Sequence, residues 1–212
     1  MKDLLLLVPD RNMEAVFQEL LKRNRSLGIR PIGFDVHVHP QRDPGCYNEG
    51  AEWLRAQQHA YEYLLVCLDF AWEGHAQGTA ADLRASLRDR LERCGLGSRS
   101  DALVIVPELE QWLFVDSPHV ANGLGYDSFR DIRQCLQDAG LWPAAASKPE
   151  DPKRATEFLL QRKEIPRSSS IYRRIARKVS LTGCRDPTFD RLRQRLRGWF
   201  PPEGSEAGTA ST

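Results

Sequence analysis

At 212 residues and 41% hydrophobic content, the chain is long enough to bury one sizeable core. A formal net charge of +1 names no partner by itself, and no stretch approaches the roughly 20 apolar residues that span a bilayer. The five cysteines are odd in number, widely spaced and without a C-x-x-C pair, which excludes a disulfide framework and a zinc knuckle and points to reduced thiols in a cytoplasmic protein.

"DLLLLVPD", residues 3–10, is a short continuous apolar run ended by proline, the pattern of a strand buried on both faces. Its apolar part is too short for a signal peptide and is flanked by acids. The spacing of Met13, Val16, Phe17, Leu20 and Leu21 predicts a helix over 11–28, stopped by Gly28. A second strand is expected in "IRPIGFDVHVH", weakened at its start by Pro31, then a turn-rich loop "HPQRDPGCYNEG" and a helix through "AEWLRAQQHAY". "EYLLVCLD" reads as the third strand. The next helix begins at Thr79, with Asp82 three residues on, carries the stripe Leu83, Leu87, Leu91 and ends at Gly95. "DALVIVPELEQWLF" is a fourth strand running into a short helix, and "YDSFRDIRQCLQDAG" is a further amphipathic helix.

Strands alternating with helices imply a parallel sheet with helices on both faces, whose functional crevice lies at the carboxyl ends of the strands. The acids that gather there are Asp10 after the first strand, Asp69 after the third, and Glu108 and Glu110 after the fourth. Acids at adjacent strand ends suit Mg²⁺, a hard ion that takes oxygen ligands and stabilises charge on a phosphodiester. Asp10 and Glu14, four apart on a helix, are able to face the same crevice. The same acids also read as ordinary structure: Asp10 capping its helix, Glu14 solvated, Asp69 capping a turn.

His37 and His39 are two apart on a strand and so share a face. With Asp35 or Asp43 they form a candidate transition-metal set, but a lone H-x-H more often marks a structural or nucleic-acid-contact role, which is the reading adopted here. The last third of the chain begins with a proline- and serine-rich stretch around one helix. From Arg167 to Arg197 it then carries ten basic residues against two acidic. Two helices fit this span, one burying Ile171, Ile175 and Val179, the other Phe189, Leu192 and Leu196. The exposed Arg173, Arg174, Arg177 and Lys178 of the first form a candidate phosphate-binding face. No Gly-x-Gly-x-x-Gly, P-loop or Gly-x-Ser-x-Gly is present, so nucleotide-phosphate cradling and serine chemistry have no motif behind them.

"LLLLVPDRNMEAVFQELL" resembles the opening of Toprim domains, where a strand ends in a catalytic acid, and "LLVCLDF" resembles the second Toprim motif. "VIVPELEQWLFVD", "SKPEDPKRATEFLL" and "VSLTGCRDPTFDRLRQRL" are similar, in that order, to segments of a Toprim-like family of bacterial proteins found beside phage-defence operons, including methylation-associated defence systems. The resemblance spans roughly residues 3–197. Two departures stand out. The Glu-Gly of the first motif is replaced by Asp10-Arg11, or by Pro9-Asp10 in the other register, and the second acid of D-x-D is Ala71, leaving Glu73 as a substitute two residues on.

The resemblance implies a Toprim-like, mostly parallel α/β domain over 1–140 and a basic helical C-terminal extension of the same unit over 141–200; the polar tail over 201–212 is expected, from its composition, to be disordered. It further implies a Mg²⁺-dependent nuclease or phosphodiester-acting subunit of an anti-phage system. In this reading Asp10 and Glu14 act as acid/base or metal groups, Asp69, Glu73 and Glu110 complete the ion's shell, and nucleic acid and other defence proteins are the partners. The alternative is a Toprim fold that has lost its chemistry and serves as a binding or scaffold subunit.

Overall fold

The first strand, β1 (Lys2–Val8), has no polar face in its second half: Leu4 to Val8 are all fully buried. In the computed structural model, which describes residues 1–72, 78–182 and 184–202, β1 lies between two parallel neighbours. These are β2 (Phe34–Val38) and β3 (Tyr61–Asp69). β3 pairs in parallel with β4 (Ser100–Ile105), giving a sheet in the order β2-β1-β3-β4. The chain therefore builds the expected α/β architecture. Because Val8 is in register with Val38 and Asp69 with Ile105, the strands finish nearly level, and the loops that follow them meet along one edge.

Alternate side chains divide the interior into two layers. Leu5, Leu7, Leu64, Val66, Leu68, Ala102 and Val104 face α3 (Arg42–Asn48), α4 (Gly50–Gln57) and α5 (Ala80–Arg93). Leu4, Leu6, Val8, Leu65, Cys67, Leu103 and Ile105 face α1 (Arg11–Leu20) and the helices of the C-terminal half. α5 follows its sequence signature closely. Thr79 and Asp82 make the reciprocal capping bonds, and Leu83, Leu87 and Leu91 are buried against the sheet.

Three local departures have physical reasons. The helix expected over 11–28 breaks after Leu20, and a short turn, α2 (Asn24–Leu27), ends at Gly28, whose φ of +74° belongs to the left-handed region. The second strand is shorter than its apolar pattern, since Ile29 to Gly33 approach it without pairing to β1 as strand. The segment expected as a loop at 39–50 contains α3. Pro44 lies in that helix's first turn, where a missing N–H removes no helical bond, and Gly45 lets the helix close on His39. A Cβ at Gly45 would sit 2.0 Å from His39 Nδ1.

The C-terminal half adds α6 (Pro118–Gly123), α7 (Phe129–Asp138), α8 (Pro152–Arg162), α9 (Ser169–Lys178) and α10 (Pro187–Trp199). α9 packs on α1 through Ile171, Tyr172 and Ile175, while Val179, at its C-cap, is only half-buried. Phe189, Leu192 and Leu196 of α10 belong to the same apolar cluster as Phe17 and Leu20 of α1. Arginines fasten the two ends of the chain. Arg23 donates to the carbonyls of Ala176 and Val179 at 2.8 and 2.6 Å, and Arg197 donates to that of Leu27 at 2.8 Å. The five cysteines are free, and no helix among the described residues is long and apolar enough to cross a membrane.

Candidate metal centre

Asp69 is the last residue of β3, and its surroundings are built from the loops after the neighbouring strands. Its Oδ1 accepts the N–H of Leu109 at 2.9 Å, and its own N–H donates to Asp43 Oδ1 at 3.0 Å. Beyond β4 the chain turns at Pro107, whose carbonyl accepts the Ala71 N–H at 2.9 Å, so the segments leaving β3 and β4 are tied together. Glu108 then caps a 3-10 turn, Leu109–Trp112, that carries Glu110. Carboxylate oxygens of Asp69, Glu108 and Glu110 all lie within 4.8 Å of one another. Asp10 and Asp43 line the same cleft of about 340 Å³, together with Lys153 and Arg167.

Such crowding of like charges demands compensation. Glu110, 3% exposed, accepts the Tyr172 hydroxyl and Arg167 Nη2, both at 2.6 Å. Arg167 also reaches Glu157 at 2.6 Å. Lys153 Nζ lies 3.4 Å from Glu108. Among the described residues no cation pairs with Asp69. Burial first, and then the charges of Asp43, Glu110, Asp10 and Glu108, hold its carboxyl well above the usual range. Burial likewise raises Glu108 against the opposing pull of Lys153, and it raises Asp43 despite the Asp69 N–H. Burial works against the charge of Arg167, but Tyr172, Glu110 and Glu157 outweigh it and keep the guanidinium firmly protonated.

The residues singled out in the sequence are distributed as follows. Asp10, Asp69 and Glu110 meet in the cleft. Asp10 also caps α1, accepting the Met13 N–H through Oδ1 at 2.8 Å. Glu14 pairs with Arg11 at 2.8 Å and is not among the residues lining the cleft. Glu73 lies outside the described residues. His37 and His39 turn to the α3–α4 side. His37 is exposed with its ring centroid 5.4 Å from that of Trp53, and His39 is 3% exposed, accepting the Gln41 N–H at Nδ1. His39 also borders a second recess continuous in its lining with the first, shared with Asp10, Arg42, Lys153 and Arg167. Arg173, Arg174, Arg177 and Lys178 are all exposed on α9, and none lines the cleft.

Glu108, Asp43, Arg42, Lys153 and Arg167 also line the cleft and lie outside the ion shell expected from sequence. Glu108 was legible as an acid directly after the fourth strand. Asp43 sits in the segment that reads as a loop. Lys153 and Arg167 are contributed by α8 and by the stretch before α9, and no local pattern announces that they return to the strand ends.

No protein-family model and no curated protein matches the sequence. Among solved structures the chain is similar to the C-terminal region of the Burkholderia pseudomallei OLD protein, at 15% identity and a TM-score of 0.44, covering 92% of this chain and 97% of that one.

Proposed function

We propose that the protein is a Toprim-like, metal-dependent nuclease, and that the cleft at the strand ends holds Mg²⁺ and cuts phosphodiester bonds. The observation that carries this reading is the convergence of Asp69, Glu108 and Glu110, with carboxylate oxygens inside 4.8 Å, from two separate strand ends. The donor set fits a hard divalent ion: the three ligands are all carboxylates, and no sulfur or imidazole stands among them. When bound, such an ion lowers the pKa of a coordinated water and stabilises charge on a phosphoryl group.

The chain's own residues supply the rest. Lys153 and Arg167 stand beside the acids, where they offer charged donors to the non-bridging oxygens of a phosphodiester. Asp10 commits Oδ1 to the Met13 N–H, leaving Oδ2 to take the proton of an attacking water. Glu14 and Glu73 are proposed, from the sequence, as further acidic groups of the site. The exposed cations Arg173, Arg174, Arg177 and Lys178, with His37 and His39, are proposed contacts for DNA or RNA. The ordered resemblance to defence-associated Toprim-like proteins supports a role in cytoplasmic anti-phage defence with other defence proteins as partners.

A second reading is a binding or scaffold subunit with the chemistry lost. It is favoured by Ala71 in place of the second acid of D-x-D and by the capture of Glu110 by both Tyr172 and Arg167. The two are separated by incubating the protein with single- and double-stranded DNA and RNA in Mg²⁺ or Mn²⁺. Cleavage that Asp69→Ala abolishes, with binding retained, is the expected result. Binding without cleavage under any divalent ion selects the scaffold, and neither binding nor cleavage refutes the nuclease.

A further inference from the structure

The sheet's opposite end carries a second charged feature. Asp101, near the start of β4, is 2% exposed and lies in register with Leu65, four residues before the Asp69–Ile105 pair. That places it about 13 Å along the strand from the acidic edge. Three arginines from two helices reach this carboxylate, Arg84 and Arg88 from α5 and Arg195 from α10, and Arg191 stands one turn before Arg195 on the same helix, near enough to bear on the charge of Arg84.

Arg84 Nη2 donates to both Asp101 oxygens, at 2.9 and 3.1 Å, and Arg195 Nε donates to Oδ2 at 2.6 Å. Those two guanidiniums already satisfy Asp101. Arg88 is farther, with Nε 3.7 Å from Oδ1, and is half-exposed. Arg191 is exposed. Arg84 feels the crowding: burial lowers its pKa, Asp101 opposes, and Arg191 and Arg88 push it down further. Like charges four apart on a helix are destabilising, so two such pairs gathered at one place point to an anion that covers them.

A recess is present to receive it. Arg88 and Arg195 line a hollow of about 320 Å³ together with Ser98, Ser100, Gly97 and Glu92. The four arginines outnumber Asp101 and Glu92 by two charges. The recess is wide enough for a tetrahedral oxyanion, and guanidinium forks with hydroxyls are the donors that phosphate prefers.

We propose that Arg88 and Arg195, with Ser98, grip a backbone phosphate of the nucleic acid whose scissile bond lies in the acidic cleft, and that the exposed Arg191, one turn before Arg195, meets a neighbouring phosphate. The grip rests on the nuclease reading and adds an anchor to it that is separate from the α9 cations. At 3.4 Å of rise per nucleotide in a duplex strand, a 13 Å offset corresponds to roughly four nucleotides between anchor and cleft.

Arg88 and Arg191 are the positions to change, because Arg84 and Arg195 remain to pair Asp101. Binding of labelled DNA and RNA oligonucleotides is measured by anisotropy against KCl concentration, in EDTA, for the parent, R88A/R191A and R88K/R191K. Each lost phosphate contact lowers the magnitude of the slope of log affinity against log salt by about 0.7–0.9. R88A/R191A is therefore expected to lose up to about two such steps with a melting temperature no lower than the parent's, and R88K/R191K to keep most of the parent slope. A slope shared by the parent and the alanine variant overturns this inference and leaves the nuclease reading standing. An alanine effect that lysine does not restore identifies a structural role and also overturns it. A parent that binds neither nucleic acid at low salt ends both.

Discussion

Asp69→Asn keeps the shape of the side chain and its acceptance of the Leu109 N–H, but removes a carboxyl that burial and its acidic neighbours make costly to ionise. Two ionised carboxylates at that 4.8 Å limit repel by about 3.5 kcal/mol at an effective dielectric constant of roughly 20. Arg167 on Glu110 and Lys153 on Glu108 cancel most of that gross figure, leaving a net relief of about 1 kcal/mol for the variant. Without divalent ions, the variant is then expected to melt about 2–4 °C above the parent near neutral pH. The pH dependence follows from the raised carboxyl of Asp69. The folded parent holds that proton longer than the unfolded chain does, so its stability falls as pH rises from about 4 towards the folded pKa, and the variant lacks this part of the slope. A divalent ion at one hundred times its dissociation constant adds about 2.7 kcal/mol to the parent and little to the variant. Thermal melting in EDTA and in graded Mg²⁺ or Mn²⁺, repeated across this pH range, measures all three effects. A variant that melts below the parent in EDTA, or that the ion stabilises as strongly as the parent, would refute the reasoning.

Tyr172→Phe removes a fully buried hydroxyl donor from Glu110 and leaves Arg167 to hold that carboxylate alone. A loss of about 1–3 kcal/mol is expected in urea unfolding, and an unchanged midpoint would mean that Arg167 suffices. Leu87→Ala empties a fully buried site between α5 and the sheet and should lower stability by about 2–5 kcal/mol.

β1, β3 and β4 were readable because each carries an apolar run closed by proline or an acid, and α5 because its cap, stripe and stop agree; β2, with Asp35 and His37 inside it, was less sharply marked. The meeting of Asp10, Asp69 and Glu110 needed no contact information. In a parallel sheet, residues that follow the strands share an edge by direction alone. Asp43 was hidden because Pro44 and Gly45 announce a turn, whereas the structure uses one in a helix's first turn and the other for close packing on His39. Lys153 and Arg167 were hidden for a different reason. The excess of cations in the last third was visible, but charge composition does not say which guanidinium turns inward to Glu110 and which stay in solvent on α9. That choice is made by the packing of α9 on α1, a tertiary event with no local signature.

The same packing governs the order in which the chain is able to fold. The apolar face of α1 is covered by α9, and Arg23 reaches Val179 across 156 positions of sequence. A core sealed by such distant partners folds slowly, since the loop between them must be closed before its contacts contribute. At a synthesis rate of about 5–20 residues per second, roughly 8–30 s separate the two helices on the ribosome. During that interval β1 and α1 present bare leucine, methionine and phenylalanine surfaces. Yield on expression should therefore depend on how promptly the C-terminal helices arrive.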